Sequence, residues 1–173
     1  MKVIFSLLCI FVLATQAPAQ VTKKFTTAVA YNDFIVDEQV KIGEAIKAFN
    51  TAFGNTEDTL QIHGVRKAII KQADSSINHL KMLVPFSGDT SLKKNAMSLF
   101  SFYSKTASNE YKQLVQVYYS KKTNEEKSKD LQALVKIITD KEAQYDKNFQ
   151  DAQKAFAQKH NIDLKENDFK INQ

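Results

Sequence analysis

Residues 31–53 read YNDFIVDEQVKIGEAIKAFNTAF, and their pattern decides the fold. Apolar side chains fall at Tyr31, Ile35, Ile42, Ala45, Phe49 and Ala52, with Phe34, Ile46 and Phe53 widening the stripe. Steps of three and four residues put such side chains on one face of a helix. Glu38 is the single break in the stripe. A helix with one apolar face cannot bury it alone, so it needs partner helices.

Three further stretches supply them. Residues 23–30 lead into the first helix, which Gly54 can end in a left-handed conformation. Asn55 or Thr56 then caps a second helix with the stripe Leu60, His63, Ile70, Ile77, Leu80 and Val84, and with Ile62, Ile69 and Leu83 beside it. Pro85 closes it, and Phe86, Ser87 and Gly88 form a turn. Asp89 or Thr90 caps a third helix built on Leu92, Ala96, Leu99, Tyr103, Leu114 and Val117. Between Ser101 and Asn109 that helix carries weak helix formers, and it is expected to run through them as one continuous helix with room for a kink. Thr123-Asn124-Glu125-Glu126 matches a capping box and opens a fourth helix with Leu131, Leu134, Ile138, Tyr145, Phe149, Ala152 and Phe156. It frays near His160 and Asn161. Long helices joined by short turns predict an all-α protein, an antiparallel up-down-up-down four-helix bundle over residues 20–164. Ile42, Ile70, Leu99 and Leu134 are expected to share its core.

The ends read differently. Met1 and Lys2, an apolar run over residues 3–14, and the small residues Ala17 and Ala19 have the layout of a signal peptide, residues 1–19. The run is too short to span a bilayer as a stable helix. Cys9 follows Leu8, where lipidation needs a small residue, so the expectation is export without a lipid anchor, to the periplasm or the outside. Removing nineteen of the 173 residues leaves 154, enough for one domain. The single cysteine leaves with them, which excludes disulfides, thiolate catalysis and cysteine-bound metal in the remaining chain. Loss of Lys2 lowers the formal charge from +5 to +4, spread as single lysines. Nucleic acid is therefore not an expected partner, and weak contact with anionic cell-surface material is the most such a charge implies. Residues 165–173 form a polar C-terminal tail.

The residues that interrupt the stripes are Glu38, His63, Glu110 and Glu142. Burying any of them without a partner is costly. Folding the chain at turns near residues 55, 87 and 123 brings Glu38 level with Glu142 and Tyr103, and His63 level with Glu110. Two polar layers result, ligand-binding or structural. The sharper reading of the Glu38/Glu142 layer is a carboxylate-rich metal-binding bundle of the ferritin-like kind, which uses Glu-x-x-His pairs. Here Glu38, Glu110 and Glu142 are followed three residues on by Lys41, Gln113 and Tyr145, so that pair is missing. The preferred reading holds these carboxylates by tyrosine, lysine or water as register-setting contacts, with no resident metal and no cofactor. Two carboxylates in one layer also imply that at least one of them titrates high unless a cation intervenes.

Arg66, the only arginine, sits at the edge of the second stripe, level with Glu44 and residue 108, where a fork to Glu44 or Glu110 would use it well. Haem attachment motifs, Gly-rich phosphate loops and nucleophile elbows are absent from the sequence. Tyr111, Tyr118 and Tyr119 offer an aromatic patch at the end of the third helix.

Tyr31, Asn32, Asp33, Ile35, Val36 and Gln39 carry a resemblance. The segment YNDFIVDEQVKI, residues 31–42, resembles the opening of the first mature helix in an uncharacterised family of exported bacterial surface proteins and lipoproteins. That resemblance implies an exported helical bundle without an assigned activity, and transfers no functional residue. The residues themselves lead to a non-enzymatic bundle acting by binding or as a surface component.

Overall fold

A computed structural model describes residues 22–164; the leader 1–19 and the tail 165–173 lie outside them. The described residues are 81% helical, without strands, and form four helical rods. These are α1 (Ala28–Asn55), α2 (Thr59–Met82), a third rod in two segments, α3 (Ser91–Ser108) and α4 (Glu110–Tyr118), and α5 (Asn124–His160).

Each boundary has a local cause. Thr27 caps α1, its hydroxyl accepting from the Ala30 amide at 3.2 Å. Gly54 stays inside α1, and the chain leaves through Thr56 in an extended conformation, so no left-handed glycine is used there. Asp58, rather than Asn55 or Thr56, caps α2 by accepting from the Leu60 and Gln61 amides. α2 ends at Met82, before Pro85, whose ring disfavours helical backbone at Val84. Lys93 covers the orphaned carbonyls of that end, donating to Leu83 at 2.7 Å and Lys81 at 3.2 Å. The extended segment before α1 is pinned to the same place: Lys23 N donates to Met82 O, and Val84 N to Lys23 O.

Ser87 and Gly88 both take positive φ, 49° and 77°, in a tight turn closed by the Asp89 amide on Phe86 O. Thr90 stands at the start of α3, while Asp89 does the capping, its Oδ1 accepting from the Ser91 amide at 2.9 Å. The weak stretch of the third rod gives way at Asn109, between α3 and α4. Thr123 and Glu126 complete the expected capping box of α5. Asn161, left-handed at φ 51°, ends that helix.

α1 packs chiefly on α2, α2 on α3, and α3 on α5. Tyr31, Ile35, Ile42, Ile46 and Phe49 of α1 are buried, as are Leu92, Ala96, Leu99 and Tyr103 of α3. α2 departs from the expectation. Its buried line is Ile62, Arg66, Ile69, Ala73, Ser76 and Leu80, while Leu60 is 83% exposed. Ile70 and Leu134, expected in the shared core, are only half-buried. Two parallel isoleucine lines run along α2, and the chosen one was offset by a residue. Moving the α2 cap to Asp58 frees Leu60 to point outward from the first turn. α5 buries residues only from Ile138 onward, so its first turns stand largely in solvent, with Val135 and Ile137 about half exposed. No helix among the described residues is long and apolar enough to cross a membrane.

Candidate functional site

Among the described residues Glu38 is the most enclosed charged group, 1% exposed on the α1 face that meets α2. Lys41, one turn along α1, donates to its Oε1 at 2.7 Å. From α2, the Ser76 hydroxyl donates to Oε2 at 2.7 Å, and Gln72 donates in turn to Ser76 at 3.1 Å. His79 Nδ1 lies 3.1 Å from Oε2, close enough for a charged contact but off the direction of a full hydrogen bond. Burial alone would raise the Glu38 pKa. The hydrogen bonds from Lys41 and Ser76, with His79 beside them, outweigh it and hold the carboxyl below the usual range.

The sequence placed Glu38 beside Glu142. The structure instead brings Glu38 to Lys41, Ser76 and His79, while Glu142 accepts from the Tyr103 hydroxyl at 3.3 Å. The α1–α2 turn falls at Thr56 to Asp58, later than residue 55, and this moves every level on α2 toward its C-terminus. Asn32 meets Gln153, and Tyr31 stacks on Phe156, which fixes how α1 approaches α5. Lys41 is the intervening cation at Glu38, whose pKa falls rather than rises. The group raised here is Tyr103, by burial first and then by the charge of Glu142.

The second predicted layer contains Arg66, His63 and Glu110. Arg66 is 8% exposed and forks to no carboxylate: its Nη1 donates to Ala107 O at 2.7 Å, and its Nε to His63 Nδ1 at 3.4 Å. Ala107 lies in the last turn of α3, where carbonyls lose their helical partners at the Asn109 break. The arginine thus covers the end of a broken helix, with its charge at the negative pole of that helix. Glu110 turns the other way, to Lys141 of α5 at 3.0 Å. Glu44 lines an open groove between α1 and α2. His63 has its pKa lowered, by burial first and then by Arg66, Lys67 and Lys112.

Sequence reasoning missed Ser76, His79, Lys67 and Lys112. Ser76 stands seven residues from Ile69, so the Ile62–Ile69 line of α2, taken as the seam, would have found it and set Arg66 inside rather than at the edge. Tyr119, from the expected aromatic patch, donates to Thr56 O at 2.8 Å and closes α4 onto the α1–α2 turn. Tyr111 stacks on Phe49, and Tyr118 packs against Phe53. At the opposite end, Tyr31, Phe86, Phe156 and His160 cluster, with the Tyr31 hydroxyl pushed up to about 12 by burial.

Among the described residues, no three His, Cys, Asp or Glu side chains gather as a metal-binding group. Comparison with known proteins returned no match: no family model, no curated protein and no solved structure is similar to this chain.

Proposed function

We propose that the protein is an exported, non-enzymatic four-helix bundle, antiparallel and up-down-up-down, that acts by binding or as a surface component. It is taken to enter the periplasm or leave the cell after cleavage behind Ala19, without a lipid anchor, and to belong with the exported proteins whose first helix residues 31–42 resemble. The contacts support the topology. Lys23 with Met82 and Val84, Tyr31 with Phe86 and Phe156, and Asp89 with Lys159 gather at one end, and Tyr119 with Thr56 at the other.

The observation that carries the non-enzymatic reading is the enclosure of Glu38. An acid that does chemistry on a substrate must reach it. This one is 1% exposed, and both of its oxygens are engaged by neighbours. Its role is to fix α1 against α2. Metal content of natively purified protein, measured together with its N-terminal mass, tests the proposal. The expected result is no stoichiometric iron, manganese or zinc, and a chain starting at Gln20. A metal present at one or two per chain and lost in Glu38→Ala would replace it with the metal-binding reading, and an intact Met1 in exported material would remove export.

A further inference from the structure

We propose that Arg66, His63, Lys67 and Lys112 form a binding site for a phosphate-type oxyanion where α2 meets the α3–α4 break. The inference names a ligand for the binding role proposed above, and it rests on that role rather than on export.

Arg66 is the starting point. A guanidinium carries five N–H donors. Two hydrogen bonds are made, to Ala107 O and His63 Nδ1, both to neutral acceptors. No carboxylate of the described residues lies within ion-pair distance of it. Nor is either terminal nitrogen among the buried polar atoms sealed off without a partner. A cation that is 92% covered, with donors to spare and no counter-ion, is an unfavourable arrangement in isolation, and an anion would offset it.

The neighbours share the same imbalance. His63, Arg66 and Lys67 fall at i, i+3 and i+4, one face of α2. Lys112 stands on α4, which packs against α2, and its charge, with those of Arg66 and Lys67, bears on His63. Because His63 Nδ1 accepts from Arg66, its proton sits on Nε2 and points away as a donor. Lys67 and Lys112 make no ion pair among the described residues. The nearest acid in sequence, Glu110, is taken by Lys141. Four side chains thus bring donors from two helices, all positive or neutral. A guanidinium edge matches carboxylate and phosphate alike, and the spread of donors over two helices favours a tetrahedral oxyanion, which accepts from several directions at once.

Titration of the full protein with inorganic phosphate at low ionic strength tests this, with the His63 ring signals followed by NMR and matched chloride as control. Saturable shifts at His63 are expected, with its protonation midpoint moving up once an anion sits beside it. Lys67→Gln combined with Lys112→Gln changes two exposed residues, so the fold should persist while phosphate affinity falls at least tenfold. Arg66→Lys should weaken binding further if it folds. Vesicles with and without phosphatidic acid distinguish a lipid phosphate, which would recruit the protein in competition with free phosphate, from a soluble one. Phosphate shifts no larger than those of chloride, or binding unchanged in the double variant, would overturn the site. Neither result touches the export proposal, which the N-terminal mass decides separately.

Discussion

A carboxylate closed off from water survives only when its partners return more than its lost hydration. Glu38 meets that condition through Lys41 and Ser76 at 2.7 Å each, with His79 beside them. Its folded pKa lies below the value for an open chain, so the native state releases this proton more readily than the unfolded one. The stability it contributes is then fully present above the unfolded value of about 4.3 and is lost as pH falls through the lower folded value. Glu38→Gln keeps the shape, removes the charge and replaces one acceptor by a donor. At pH 7 it should cost about 1–3 kcal/mol, the range for a hydrogen bond to a charged group. Denaturant melts of both proteins between pH 3 and 7 should show that gap narrowing toward acid. A gap that is constant, or that widens as pH falls, would mean the carboxyl is not held as an anion. The stripe of α1 made this residue conspicuous, but nothing in α1 alone could reveal whether a second carboxylate or a serine faced it. Only the position of the next turn decides that.

At the scale of elements, the helices were legible because their apolar residues recur at helical spacing and their ends carry strong local signals. Thr123 with Glu126 was readable as a capping box, whereas the third helix, expected to run on through its weak helix formers, stops at Asn109. α2 was harder. Ile62 and Ile69 run parallel to Ile70 and Ile77 along one side of it, and periodicity cannot choose between lines one residue apart. Packing chooses Ile69, at 0% exposure, and leaves Leu60 at 83%. Ile69→Ala should therefore cost about 2–5 kcal/mol by emptying core volume. Leu60→Ala should stay within about 0.5 kcal/mol, as surface changes do. Equal losses in the two, measured by the same chemical melts, would return the seam to the line first expected. That single offset also hid Ser76 and left Arg66 at the edge: once Ile69 faces inward, Arg66 and Ser76 must follow, three residues before it and seven after. The break at Asn109 then supplies the arginine with its carbonyl, which no reading of α2 by itself could have shown.

For the whole molecule, the proposed antiparallel arrangement makes a demand that distances can check. The chain after residue 19 contains no cysteine, so pairs of introduced cysteines can carry spin labels without background. Ser91, Gln158, Glu57 and Lys121 are all exposed and lie near helix ends. The ion pair of Asp89 with Lys159, at 2.9 Å, brings the start of α3 to the end of α5. The hydrogen bond from Tyr119 to Thr56 brings the end of α4 to the turn between α1 and α2. Labels at Ser91 and Gln158 should therefore lie close together, and so should labels at Glu57 and Lys121. Ser91 and Lys121 are separated by the full length of α3 and α4, and Ser91 and Glu57 by that of α2. At roughly 1.5 Å per residue, both of these pairs should stand about 35–40 Å apart. Two short and two long distances fit only helices that alternate in direction. A short Ser91–Glu57 distance would instead run α2 and α3 side by side in the same direction. That would need a crossover as long as a helix, and the chain has only residues 83–90 to make it.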